Sequence, residues 1–180
     1  MKLDLDNWHK VLAPRPTVLV ATVNKNGILN AAPFSFVMPV SMKPALVAFS
    51  SAPKRHTLAN IRLTKDFTIN IPGKELLNQV WKCAESFPEG VSEIKKSNLT
   101  EVKLKGIKSP GIKECYATFS CKLFKEIVAG DHVLVIGEVI AVEVRADVFV
   151  NKKFNPYTAS PIMHIGGDEF SVPGEKLIAG

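Results

Sequence analysis

The chain has 180 residues, 46% apolar and 22% charged, which excludes a disordered chain and suits one domain, residues 1–180, with a sizeable core. Lys and Arg outnumber Asp and Glu by 23 to 17, a formal charge of +6, yet the surplus is scattered through mixed stretches such as EIKKSNLTEVKLKGIK and argues against a nucleic-acid partner. Three cysteines without a C-x-x-C spacing, no apolar signal core and no run near the ~18 apolar residues of a membrane span point to free thiols in a soluble, cytoplasmic protein.

TVLVATV and LNAAPFSFV flank Asn24-Lys25-Asn26-Gly27. The Asn-Gly step favours positive φ and predicts a hairpin with strands at 17–23 and 29–37. MPVSMKP follows, and its two prolines predict a loop. ALVAFSS predicts a third strand, apolar enough to be covered on both faces. Pro53 suits a first helical turn, and residues 57–63 supply helix formers. DFTINIP predicts a fourth strand stopped by Pro72-Gly73. In KELLNQVWKCAESF, Leu76, Leu77, Val80, Trp81 and Ala84 recur at helical spacing. Ser92 predicts the cap of a short helix within PEGVSEIKKSNLT. The β pattern returns in CYATFSCKLFKEIV, turns near Ala129-Gly130-Asp131 and resumes in HVLVIGEVIAVEV, where Gly137 marks a bulge or bend. PIMHIG predicts a last short strand. The reading is a mainly β domain with barrel-like strand spacing and two or three inserted helices.

The stretch SSAPKRHTLANI gathers Ser50, Ser51, Lys54, Arg55, His56 and Thr57 where a helix begins. A helix start already carries free N–H groups and the positive end of the dipole. Further cations cost stability there unless an anion is present, and a phosphate monoester of about −1.5 to −2 charge answers that need. The hydroxyls of Ser50, Ser51 and Thr57 add donors, Arg55 a planar fork and Lys54 a point charge. A nucleic-acid backbone calls for such groups spread along a surface. The plainer alternative is that Ser51 caps the helix while Lys54 and Arg55 are solvated. The stretch is neither a Walker A loop nor a G-x-G-x-x-G turn.

PRPTVLVATVNKNGILNAAPFSFVMPVSMKPALVAFSSAPKRHTLANI, with GIKECYATFSCKL and GDHVLVIGEV, resembles the flavin reductase-like family with an FMN-binding split barrel. That family includes flavoredoxins and the reductase components of flavin-dependent monooxygenases. The resemblance implies a split β-barrel, a Greek-key antiparallel barrel, in a homodimer with FMN near the subunit interface. NAAPFSF looks like the strand end bordering the isoalloxazine, so Ala32, Pro33, Phe34, Ser35 and Phe36 are expected to line the ring. Ser50, Ser51, Lys54, Arg55 and Thr57 look like the phosphate and ribityl contacts. Many relatives carry Arg-Lys-Asp-Thr where Lys54-Arg55-His56-Thr57 stands here. The Arg-x-Thr spacing is kept and the acidic residue is not, which leaves Lys54 and Arg55 as alternatives for the phosphate.

His132, after the Gly130-Asp131 turn, matches a histidine that lies near the flavin and the incoming nicotinamide in relatives. It is the catalytic candidate, with a solvated strand end as the alternative. PIMHIGG resembles a late segment that approaches the cofactor and offers His164. Phe170 stands where relatives often carry a tyrosine, which puts a hydroxyl role there in doubt. Trp81 either shields the flavin or packs in the core or an interface. His9, His56, His132 and His164 lie far apart without ligand spacing, so no metal is expected. The implied activity is an NAD(P)H-dependent flavin reductase, with NADH or NADPH as hydride donor to FMN N5. The alternative is a flavoredoxin-type FMN electron carrier, reduced by a redox partner protein and lacking a nicotinamide site. No G-x-S-x-G or activated-cysteine context suggests a protein nucleophile.

Overall fold

In the computed structural model, which describes residues 1–88 and 90–179, the chain opens with a 3-10 turn (Leu5–Asn7) and helix α1 (Trp8–Val11). Strands β1 (Arg15–Pro16), β2 (Val18–Val23), β3 (Leu29–Phe34), β4 (Val37–Met42) and β5 (Ala45–Ser51) lead to the nine-residue helix α2 (His56–Thr64). Then come β6 (Asp66–Ile71), a 3-10 turn (Lys74–Leu76) running into α3 (Leu77–Lys82), α4 (Glu93–Lys96), β7 (Glu101–Val102) and β8 (Gly111–Ile112). Two long strands, β9 (Ala117–Ala129) and β10 (His132–Val144), precede the hairpin β11 (Phe149–Val150) and β12 (Lys153–Phe154). Helix α5 (Pro156–Ala159) and the hairpin β13 (Met163–Gly166) and β14 (Glu169–Ser171) complete the described elements.

The mainly β, antiparallel architecture expected from the sequence is the one observed. Seven strands form the main sheet in the order β3-β2-β6-β9-β10-β5-β4. Phe34 at one edge packs edge-on against Phe49, one strand in from the other edge, with centroids 4.8 Å apart. The sheet therefore curls into a barrel. Its two edges, β3 and β4, are consecutive in the chain and joined by Ser35 and Phe36, yet among the described residues no ladder joins them. Each edge carries a proline, Pro33 and Pro39. Proline withholds a ladder N–H and its ring crowds an incoming strand, so both edges resist further pairing. The barrel stays split along this seam.

Several expectations are corrected. MPVSMKP, expected as a loop, is mostly β4. It pairs with β5 alone, with a register shift between Pro39 and Ser41, and an edge strand tolerates proline. The strand expected at 29–37 breaks at Ser35 and Phe36. Helix α2 starts at His56, after Pro53, and α3 ends at Lys82. The strand at PIMHIG is not the last, because β14 folds back on it. Ser92 does cap α4, accepting from Lys95 N at 3.4 Å. Glu89 of the surrounding segment and Gly180 lie outside the described residues.

The unbroken apolar run in β2 is explained by burial on both faces. Val18 and Val20 join Phe49, Phe67, Leu58 and Ile61 in the barrel interior. Leu19 and Ala21 face Leu76, Val80, Ile94 and Leu99, which α3, α4 and their flanks lay over the outside. Each fully buried Val or Leu contributes about 1.5–3 kcal/mol. Leu58 and Ile61 plug α2 into the barrel and so position its first turn at the seam. Asn70, buried in β6, is fully paired: it donates to Leu19 O and Thr68 Oγ1 and accepts from Ile112 N and Thr118 Oγ1.

The register of β10 shifts between Ile136 and Gly137. A Cβ at Gly137 would stand 2.8 Å from Phe67 Cε1 and 3.2 Å from Cys121 Cβ, both in the buried interior. Gly137→Val is expected to lower the unfolding free energy by about 1–3 kcal/mol through overpacking. Urea denaturation measures it, and an unchanged midpoint would show that the interior yields.

Candidate functional site

The seam, the first turn of α2 and the β13–β14 hairpin enclose a cavity of about 670 Å³, within the size range of small-molecule sites. The backbone of α2 makes one wall polar. Arg55 occupies its N-cap in an extended conformation and makes no side-chain cap hydrogen bond, and the first turn holds no acidic residue. The free N–H groups of this turn are left for solvent or a ligand. Lys54, Arg55 and His56 are exposed beside them and line the cavity, as do half-buried Ser50 and buried Thr57. Ser51 is buried and does not line it. Its hydroxyl donates to Ala52 O at 3.1 Å, so it neither caps the helix nor reaches the cavity.

The opposite wall is the end of β3 and the seam itself: Ala32, Pro33, Phe34, Ser35 and Phe36 all line the cavity. It is apolar apart from the Ser35 hydroxyl. His132 and His164 complete the rim. The structure thus brings eleven of the twelve candidate residues round one cavity, and Ser51 stands behind it.

His132 begins β10, and its ring lies 6.3 Å from that of Phe36. Its Nδ1 meets Asp131 Oδ1 at 2.8 Å. That hydrogen bond, with the histidine's charge, holds the Asp131 carboxyl below its ordinary range. A carboxylate only accepts, so Nδ1 carries the proton and Nε2 is free of this bond. His164 is oriented the other way. Arg15 Nη2 and Ser35 Oγ both approach its Nδ1 at 3.2 Å, and its Nε2 lies 3.2 Å from Gly167 O. A guanidinium only donates and a carbonyl only accepts, which assigns the proton to Nε2.

Arg15, Asn30 and Glu93 are site residues that the sequence reading missed. Arg15 holds the chain's first turns to the site through His9 O at 2.8 Å and Leu12 O at 2.7 Å. Its guanidinium also lies 5.5 Å from the Phe36 ring centroid. The local signal was a cation between Pro14 and Pro16, a place where a solvated side chain is the ordinary reading. Asn30 bridges to Thr57 Oγ1 at 3.2 Å. Burial pushes the Glu93 carboxyl above its ordinary range, outweighing the backbone N–H groups and His56 that pull it back. Trp81 does not line the cavity. It packs edge-on against Phe170, which in turn lies 5.2 Å from the His164 ring. Among the described residues no helix is long and apolar enough to cross a membrane.

Known proteins share the family and the fold of this chain. The Flavin reductase like domain family matches residues 11–166. An uncharacterised protein of Methanothermobacter thermautotrophicus is 36% identical, over 91% of this chain and 81% of its own length. Nitrilotriacetate monooxygenase component B from Bacillus cereus superposes with a TM-score of 0.90 at 26% identity, covering 99% of this chain and 95% of that one. Flavoredoxin of Desulfovibrio vulgaris has the same fold, with a TM-score of 0.88 at 22% identity over 99% and 97% of the two chains.

The three cysteines are free. Burial pushes the thiol of Cys83, the one on the cavity wall, up to about 11 and that of Cys121 up to about 12, and it raises Cys115 as well. A raised thiol stays protonated and unreactive well above neutral pH. At pH 8 a disulfide reagent is expected to modify fewer than one thiol per folded chain within minutes, and all three in denaturant. Rapid loss of a thiol from the folded protein would contradict the burial argument.

Proposed function

Because this chain belongs to the flavin reductase like domain family, we propose that it is an FMN-binding oxidoreductase passing hydride from NADH or NADPH to the flavin. One observation carries the reading: a single cavity joins an uncapped, cationic helix start to an apolar strand end. Those two chemistries suit the two ends of one flavin mononucleotide. The α2 N–H groups, Arg55 and Lys54 would neutralise the phosphate. Ala32, Pro33, Phe34 and Phe36 would wall the ring, with Ser35 and backbone groups available to its polar edge. Ser51, pointing away, would support the turn and touch no ligand.

When bound, the flavin supplies the two-electron chemistry and needs no protein nucleophile. The chain's own residues position and select. Asp131 holds the His132 proton on Nδ1, so that Nε2 can meet a nicotinamide carboxamide at the open side of the seam. Arg15 and Gly167 hold the His164 ring beside Ser35. Similarity to a monooxygenase component supports a reductase serving a separate acceptor protein. Met38, Val40 and Met42 on β4 and Ile140, Val142 and Val144 on β10 are exposed. Exposed apolar side chains on these two strands support a second copy of this chain as partner, so we read the protein as a homodimer. The three free thiols support a cytoplasmic setting.

The purified protein is expected to take up FMN, turn yellow and bleach when NADH or NADPH is added without oxygen. Bleaching by dithionite but by neither nicotinamide would leave the flavoredoxin-type carrier instead. Arg55→Ala is expected to weaken FMN about ten- to a hundredfold, the worth of one charge-assisted contact, while sparing riboflavin. Equal losses for both flavins would remove Arg55 from the phosphate. His132→Ala is expected to slow stopped-flow reduction by NADH at least about tenfold with FMN affinity within about twofold. An unchanged reduction rate would strip His132 of its nicotinamide role.

A further inference from the structure

A second cavity, of about 430 Å³, opens between the β2–β3 turn, α4 and the segment that joins β7 to β8. Among the described residues it shares no lining residue with the cavity proposed for the flavin. Its volume falls within the range of small-molecule sites. Ile28, Leu29, Val102, Leu104 and Ile107 line it, and each is half-buried. Five aliphatic side chains left partly open to one hollow make an apolar floor that the chain does not cover itself. The rim has the opposite character. Lys95, Lys103 and Lys108 are exposed there, against a single acid, Glu101. Among the described residues none of these four enters a salt bridge.

The walls are held by hydrogen bonds of their own. Asn24 Oδ1 accepts from Asn26 N and from Ile28 N, both at 2.9 Å, and fixes the β2–β3 turn. Before the β7–β8 segment, Thr100 N donates to the Glu114 carboxylate at 3.0 Å. After it, buried Asp66 accepts from Lys108 N at 3.0 Å, Ser109 N at 3.1 Å and Ser109 Oγ at 2.8 Å. Thr68 Oγ1 donates to Pro110 O at 2.6 Å. Both ends of the segment are therefore pinned to the sheet, and Leu104 and Ile107 are presented to the hollow from a fixed backbone. A site formed before its ligand arrives spares that ligand the cost of ordering the loop.

The lining also selects among ligands. Among the described residues no aromatic ring and no arginine lines the hollow. A nucleobase would call for a ring to stack on, and a phosphate for the planar fork of a guanidinium. Three point charges on flexible stems above an aliphatic floor suit a carboxylate head on an aliphatic tail. The tail removes the floor from water, and the head stays hydrated beside the ammonium groups. We propose that this hollow is a binding site for a medium-chain aliphatic carboxylate. The site stands apart from the flavin reading and does not depend on it.

The test is titration of the nitrogen-15-labelled chain with sodium octanoate at pH 7, followed by amide chemical shifts. Saturable shifts are expected at Gly27, Ile28, Leu29, Val102, Leu104 and Ile107, with residues 50–57 unmoved. Hexanoate is expected to bind about fifteenfold more weakly, at roughly fourfold for each methylene withdrawn from the floor. Octylammonium, with the same tail and the opposite charge, is expected to bind at least about tenfold more weakly than octanoate. The Lys95→Ser/Lys103→Ser/Lys108→Ser variant is expected to erase that difference, and because all three side chains are exposed it keeps the fold. The absence of saturable shifts at these residues, shifts confined to the flavin cavity, or equal affinity of the native protein for octanoate and octylammonium would overturn the proposal.

Discussion

Two prolines on facing strand edges keep the barrel open, and the rest of the molecule is arranged round that opening. Pro33 and Pro39 lie on β3 and β4, the outermost strands of the curled sheet. A closed ladder between them would need donors that proline lacks. The chain instead crosses the gap through Ser35 and Phe36, and their side chains become part of a cavity wall. Everything proposed for the site depends on this gap. A fully paired barrel of this size would be filled by its own side chains and leave no room for a ligand at the seam.

The second wall follows from how α2 is anchored. Leu58 and Ile61 are wholly buried in the barrel interior, so the helix cannot turn its first residues away from the seam. That first turn has no side-chain cap and no acid, and two cationic side chains, Lys54 and Arg55, adjoin it. In an isolated helix this pattern is unfavourable. In this chain the hydrophobic anchoring of Leu58 and Ile61 holds the turn in place, and the proposed phosphate would relieve it. Behind the turn, Thr57, Asn30 and Glu93 tie α2, β3 and α4 together through polar contacts that a purely apolar packing would not need.

Much of this was legible locally. The Asn-Gly step marked the β2–β3 hairpin, the apolar run of ALVAFSS marked β5, and the SSAPKRHT stretch and NAAPFSF marked two of the walls. These signals act within a few residues of the chain, where turn chemistry and periodicity apply. The errors were local too, and each was overruled by context. A proline-bracketed segment became a strand because it lies at an edge, where a missing donor costs little. Ser51, three residues before the cationic pair, was read as a ligand or a cap. The pleat of β5 buries it, and its hydroxyl is spent on Ala52 O. Trp81 meets Phe170 edge-on, and Phe170 lies against His164 beside the cavity, a support role that composition does not distinguish from shielding a ligand.

The amino-acid sequence by itself determined the class of fold, several of its strands and turns, and the charge and apolar character of the two segments that face each other across the seam. Only the tertiary structure decided that Arg15 reaches His164, which lies 149 positions away, and that Glu93, Asn30 and Thr57 stand in line. The physical reason is one of range. Backbone propensity and periodicity operate over a turn or a strand, whereas these contacts exist because the curled sheet and the buried residues of α2 and α4 bring distant segments within hydrogen-bonding distance.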